Sequence, residues 1–143
     1  MTAMHKAIGI IALVLFVHAF AVVFDWYGTF WWIDMVMHWS GGFAMAFLGF
    51  ALWSYFVYSY EVEGKGRFAR FATLIVKFGW VIAFVALVSI AWEWFEFLCD
   101  LWFPSFVPAY KAAQPGLGDT MADFFFDLFG GVVGFLLARR YDR

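Results

Sequence analysis

The sequence has one cysteine, three prolines and few charges. Cys99 has no second cysteine to pair with, so an intramolecular disulfide is excluded. Pro104, Pro108 and Pro115 sit together in one stretch, so no proline breaks any of the long apolar runs. Charged residues make up only 14% of the 143 residues, against about 25% in an ordinary soluble domain. A soluble chain of this length needs polar groups over a large surface. Here they are too few, so the outer surface is apolar and lipid is the solvent that accepts it. The net charge is −2 and no basic stretch is large enough to hold nucleic acid. There is no internal repeat, and the length allows a single domain.

What is present is a surplus of apolar and aromatic residues: 66% hydrophobic, with 21 Phe and 9 Trp. The aromatics read first as bundle filling and interface anchors. A bilayer span needs about 20 apolar residues, and four runs meet that length, at about 7–24, 34–58, 71–98 and 119–138. The expected fold is all-α, an integral membrane four-helix transmembrane bundle. The start of the first run resembles a signal peptide, with Lys6, an apolar stretch and Ala19-Phe20-Ala21 as a small-residue cleavage pattern; it is read here as a retained helix. Residues 100–118 form the longest connection and hold all three prolines, with Trp102, Phe103, Phe106 and Tyr110. They read as an interfacial flap over the bundle's mouth, or as a plain connecting loop.

Basic residues orient the bundle. With four spans, Lys6, Lys65, Arg67, Arg70, Lys77, Arg139, Arg140 and Arg143 fall on one side and Lys111 alone on the other. Both termini are therefore expected to be cytoplasmic, in a multi-pass protein of the plasma membrane. Lys77 lies inside the third run near its inner end, where its ammonium is expected to snorkel.

Ionisable groups inside a bilayer cost about 2.5–3.5 kcal/mol each at mid-depth on the milder scales, yet every run carries them. The first has His18; the second has Asp34 and His38, four apart and on one face. The third has Glu93 and Glu96, with Asp100 beyond them; the fourth has Asp119, Asp123 and Asp127, each four apart. Under the expected topology all of these fall in one layer, near the outer end. Toward the inner end the same stripes continue as Gly41, Gly42 and Gly49, as Ser89 and Ala86, and as Gly130, Gly131 and Gly134. Small residues let membrane helices approach closely. The inner half is therefore expected to be tightly packed and the outer half to open into a carboxylate-walled pocket.

Carboxylates held together repel unless a proton or a cation intervenes. Imidazole with several carboxylates is a ligand set for a divalent metal ion, with Zn, Mn, Fe and Ca not distinguished. His38, Glu93, Glu96, Asp119, Asp123 and Asp127 are the candidate ligands or their supports. Blander readings exist for some residues. Asp34 and Asp119 stand at helix starts and also fit N-caps, and Asp100 fits an interfacial acid. His18, without a partner nearby in sequence, fits a packed core histidine, and His38 with Asp34 fits a structural pair. His18 and His38 at matched depth also fit bis-imidazole haem ligation, against which the acids argue. The paired acids Glu93, Glu96, Asp123 and Asp127 resist such readings. No Ser-His-Asp order, zinc-protease helix motif or phosphate loop is present.

The segments His38-Trp39-Ser40-Gly41-Gly42, Ser89 to Phe97 and Gly118 to Gly131 resemble the polar motifs of YjdF-type bacterial inner-membrane proteins. The last segment more distantly resembles the aspartate-rich final helix of VanZ-like proteins. The resemblance covers roughly the last three spans; the first carries no motif that aligns, and the chain is shorter than YjdF itself. It implies a shared polar site and no particular reaction. Three functions follow as expectations: a metal-binding membrane protein, with a metalloenzyme acting on a lipid or amphiphile as its sharper form; a proton- or cation-coupled transporter, which four spans would require to be a homo-oligomer; and an accessory subunit of a larger membrane complex.

Overall fold

The computed structural model describes residues 3–56, 66–105 and 112–141. Helix α1 is Ala3–Val23, α2 is the short Trp26–Thr29, α3 is Ile33–Phe56, α4 is Arg67–Trp102 and α5 is Leu117–Ala138. Single 3-10 turns follow α4 at Phe103–Ser105 and α5 at Arg139–Tyr141. There is no strand among the described residues. Four helices, α1, α3, α4 and α5, are long and apolar enough to cross a membrane. Their lipid faces are rich in exposed Phe, Leu, Val and Trp, among them Leu13, Val36, Phe68 and Trp94. The chain is thus an all-α, four-helix membrane bundle. At 36 residues, α4 is about 54 Å long and overruns a hydrocarbon core of about 30 Å.

Helix α3 is the spine. It packs most extensively on α5, then on α1 and α4, whereas α1 packs on α3 and hardly on α4. Glycines set the α3–α5 distance. A Cβ on Gly42 would overlap the backbone carbonyl of Asp127, and one on Gly130 the carbonyl of Trp39. One on Gly134 would crowd the Phe43 carbonyl and Ala46. The obstacles are mostly main chain, so no rotamer change relieves them, and the helices touch only because these positions lack a side chain.

At the end of the bundle away from the acids, the gap closes with Phe50, Val81, Val85 and Phe135, all buried. Phe135 meets Phe78 edge-on at 5.1 Å and Phe50 at 6.2 Å between ring centroids. The Trp80 indole N–H donates to the Gly49 carbonyl at 3.2 Å, across the α3–α4 seam. Lys77 departs from the snorkelling expectation. Its side chain is buried and its ammonium lies 3.9 Å from the Phe50 ring centroid, a cation–π seat inside the bundle.

The turn from α1 into α2 passes through Asp25, at φ 52°, a left-handed conformation that non-glycine residues seldom adopt. It folds α2 back so that the Tyr27 hydroxyl lies 2.7 Å from His18 Nδ1. Of the 100–118 connection, residues 106–111 lie outside the described residues. Its described parts differ from a free loop: α4 runs on to Trp102, and the returning strand of chain is tied down at 113 and 114.

Candidate metal centre

His38 stands one turn below Asp34 on α3 and is almost fully enclosed. Its two ring nitrogens face different helices and different acids. On one side, Nδ1 lies 3.1 Å from Asp127 Oδ2. The same Asp127 oxygen accepts a short hydrogen bond from the Ser89 hydroxyl of α4. Gly42 makes room for this arrangement by lying under the Asp127 main chain, whereas a Cβ on Gly41 would meet Asp127 Oδ1 at an ordinary contact distance of 3.7 Å. Gly42 is therefore what seats the residue whose carboxylate holds the His38 ring.

On the other side, Nε2 lies 3.7 Å from Asp34 Oδ1 and 3.7 Å from Asp123 Oδ1. These separations are too long for hydrogen bonds. They are close to the spacing of two ligands around one ion, about 3.4 Å at a tetrahedral angle with bonds near 2.1 Å. Two triads share the histidine: Asp34, His38 and Asp123, and His38, Glu93 and Glu96. In each, the ligand atoms lie within 4.8 Å of one another. Glu93 and Asp123 are 4% and 2% exposed, and each has a buried oxygen (Oε1 and Oδ2) with no hydrogen-bond partner among the described residues. An orphaned buried carboxylate oxygen costs free energy unless something binds it. The donor set, one imidazole with four carboxylates, is hard to borderline and fits a divalent cation.

The six residues read from the sequence thus divide by role. His38, Glu93, Glu96 and Asp123 are members of the two triads, with Asp123 facing Nε2. Asp127 is on the Nδ1 side, where it orients the ring. Asp119 belongs to neither triad, although its Oδ2 is buried and unpartnered. It is not a helix cap either, because Gly116 is the N-cap of α5. Asp34, weighed as a cap, lies within the first turn of α3 and completes the first triad. His18 keeps apart from the cluster, bonded to Tyr27, with its ring edge-on to Trp92 at 5.5 Å.

Several supporting residues were not read as such. Gln114 donates its side-chain amide to Glu93 Oε2 at 2.7 Å. The backbone N–H groups of Ala113 and Gln114 donate to Asp100 at 2.7 and 2.8 Å, so Asp100 anchors the returning chain rather than meeting solvent alone. The Trp92 indole donates to Glu96 Oε1 at 2.8 Å. Trp92 and Glu96 are four apart, a helical spacing that could have shown the pair; nothing local marks Gln114. Burial, with negative charge from Asp34 and Glu96, pushes the Tyr27 phenol above its ordinary value, so it stays a proton donor.

A cavity of about 150 Å³ adjoins the cluster between α1, α3 and α4. Asp34, His38 and Glu96 form its polar end, and Ile11, Val14 and Val88 are among its apolar walls.

A family model described as "Predicted membrane protein (DUF2238)" matches residues 3–143. The chain belongs to this family. The DUF2238 match takes in the first span as well as the three that carry the polar motifs, and it agrees with the YjdF-type likeness. No curated protein and no solved structure matches this DUF2238 chain.

Proposed function

We propose that this protein binds a divalent cation between α3, α4 and α5, with His38 Nε2, Asp34, Asp123, Glu93 and Glu96 as the ligand set. The observation that carries the reading is the pair of orphaned buried oxygens on Glu93 and Asp123, two carboxylates that each share a triad with His38. Asp127 supports it from behind. A carboxylate on the far nitrogen fixes the tautomer and turns Nε2 outward, as in carboxylate–histidine–metal arrangements. Ser89 holds that carboxylate in turn.

The centre borders an apolar cavity rather than an aqueous one, which favours a metalloenzyme acting on a lipid or amphiphile. A bound cation would supply Lewis acidity or an activated water there. The chain's own part is to hold the ligands, to keep the Tyr27 phenol as a donor at the rim, and to exclude water with the Trp92–Glu96 and Gln114–Glu93 pairs. A transport path finds less support, because glycine-to-backbone contact and the Phe50–Phe135 packing close the bundle beyond Asp127. The basic residues favour a plasma-membrane protein with both termini cytoplasmic and the centre near the outer face.

The test is elemental analysis of protein purified in mild detergent without added metal or chelator. The expected result is close to one equivalent of a transition metal or calcium, lost in the His38→Ala variant. Less than about a tenth of an equivalent, together with no stabilisation by added cations, overturns the reading; a site filled at 100 times Kd would add about 2.7 kcal/mol.

A further inference from the structure

The cavity beside the cluster has two unlike ends, and the contrast bears on what enters it. Its long walls are Ile11, Val14 and Leu15 of α1 facing Val85 and Val88 of α4, over a floor from α3. Helix α1 packs on α3 and hardly on α4, so the cleft opens sideways, and Leu15 at its edge is 55% exposed to the lipid side. Its far end is Asp34, His38 and Glu96, rimmed by Tyr27, His18 and Trp92. We infer that this cleft seats one bilayer amphiphile: a single hydrocarbon chain between α1 and α4, with an uncharged, oxygen-bearing polar end against His38, Asp34 and Glu96. That the polar end meets a cation there rests on the reading above; the seat for the chain does not.

Three observations select that occupant. First, the long walls are aliphatic and belong to two helices that meet at His18 and Trp92 and hardly pack elsewhere, which suits one chain and not a bulky ring system. Secondly, among the described residues no Lys or Arg lines the cleft, whereas Asp34, Glu96 and Asp127 do. Without a cation at the cluster, a phosphate headgroup would face like charge at close range and no side-chain counter-ion to offset it. Thirdly, the polar end combines the Tyr27 hydroxyl with carboxylates, which suits a hydroxyl group, able both to accept and to donate. An ammonium headgroup is the competing chemistry, since it would pair with the same acids.

The experiment uses the full chain in detergent, with a monoacylglycerol brominated on its chain as the probe. Bromine quenches indole fluorescence at contact range, and Trp92 lines the cleft. Expected is a saturable quenching component in the wild type that is lost in Trp92→Phe. It should weaken by about tenfold or more in the plugged variants Val88→Phe and Val14→Phe, their unfolding midpoints being checked alongside. Unbrominated monoacylglycerol should displace the probe at least about tenfold better than an alkyl phosphate or alkylamine of equal chain length. The inference is overturned if quenching never saturates, if Trp92→Phe leaves it unchanged, or if the phosphate or the amine displaces the probe as well as the neutral lipid. The last two criteria hold even where a plugged variant does not fold. Saturable quenching by protein that holds no cation sinks the metal reading and leaves the cleft. A full equivalent of cation without saturable quenching sinks the cleft and leaves the metal.

Discussion

At one end of the bundle, α3 and α5 meet glycine against main chain, and the space between them and α4 is filled by Phe50, Phe135, Val81 and Val85. At the other end the same helices hold His38 among acids, two of them in its triads with buried oxygens that nothing among the described residues satisfies. The first end is dense and mostly apolar, with the Lys77 ammonium seated on the Phe50 ring. The second contains repelling groups whose confinement the first end must offset. The boundary between them is sharp: Gly42 touches the backbone of Asp127, while the side chain of Asp127 holds the ring of His38. Close packing and the polar site are one construction, because the packed end fixes the helix spacing that brings the acids to the histidine.

This contrast can be broken most strongly at the packed end. Gly42→Ala and Gly130→Ala should each destabilise the fold by about 2–4 kcal/mol, since backbone must move to admit the methyl group. Gly79→Ala, where a Cβ meets nothing within 4 Å, should stay within about 0.5 kcal/mol of wild type or stabilise the helix. Unfolding in mixed micelles with increasing SDS would measure both.

At the polar end the signs should separate. Asp123→Asn should weaken cation binding by more than about 100-fold while making the cation-free protein melt higher, because one confined acid is gone. A lower melting point for the cation-free variant would mean that the acids are held by bonds that satisfy them. Asp127→Asn should weaken the cation by about 10–100-fold and also destabilise the cation-free protein, since His38 and Ser89 both lose an anionic partner. Isothermal titration and melting curves on the two variants would sharpen the division between ligand and support.

Acidification should release the cation. The ligands must be deprotonated to bind, so affinity should fall continuously as pH is lowered, and it should rise again on return to neutral pH. An affinity unchanged between about pH 7 and pH 5 would point to ligands outside this cluster. Among the polar-end variants the smallest effect belongs to Ser89→Ala, at about 1 kcal/mol of stability for one lost hydrogen bond to a carboxylate that keeps its histidine.

Much of the site was readable because each helix advertises it separately. Asp34 and His38 share a face by being four apart, and so do Trp92 and Glu96. Expense in lipid picks out the acids without any neighbour being known. The aspartate stripe of α5 was legible as a stripe but not as three roles. Residues four apart drift by about 40° around a helix and about 6 Å along it. Asp119, Asp123 and Asp127 therefore fan past His38: one stands clear of the triads, one faces Nε2 and one faces Nδ1. Gln114 was invisible because it reaches Glu93 from a connection with no periodicity, 21 residues away along the chain. Lys77 was misplaced because a basic residue near a helix end usually finds water, and its Phe50 partner lies on another helix.

Hydropathy, charge and spacing are properties of single helices, and they alone determined that this chain is a four-helix membrane bundle with an expensive polar layer near one end. Which imidazole nitrogen faces which acid, which oxygens are left unpartnered, and that an apolar cleft runs up to them were decided only by the tertiary structure. Those outcomes depend on distances between helices, and here the distances come from main-chain contact at Gly42 and Gly130, where absent side chains let α3 and α5 touch.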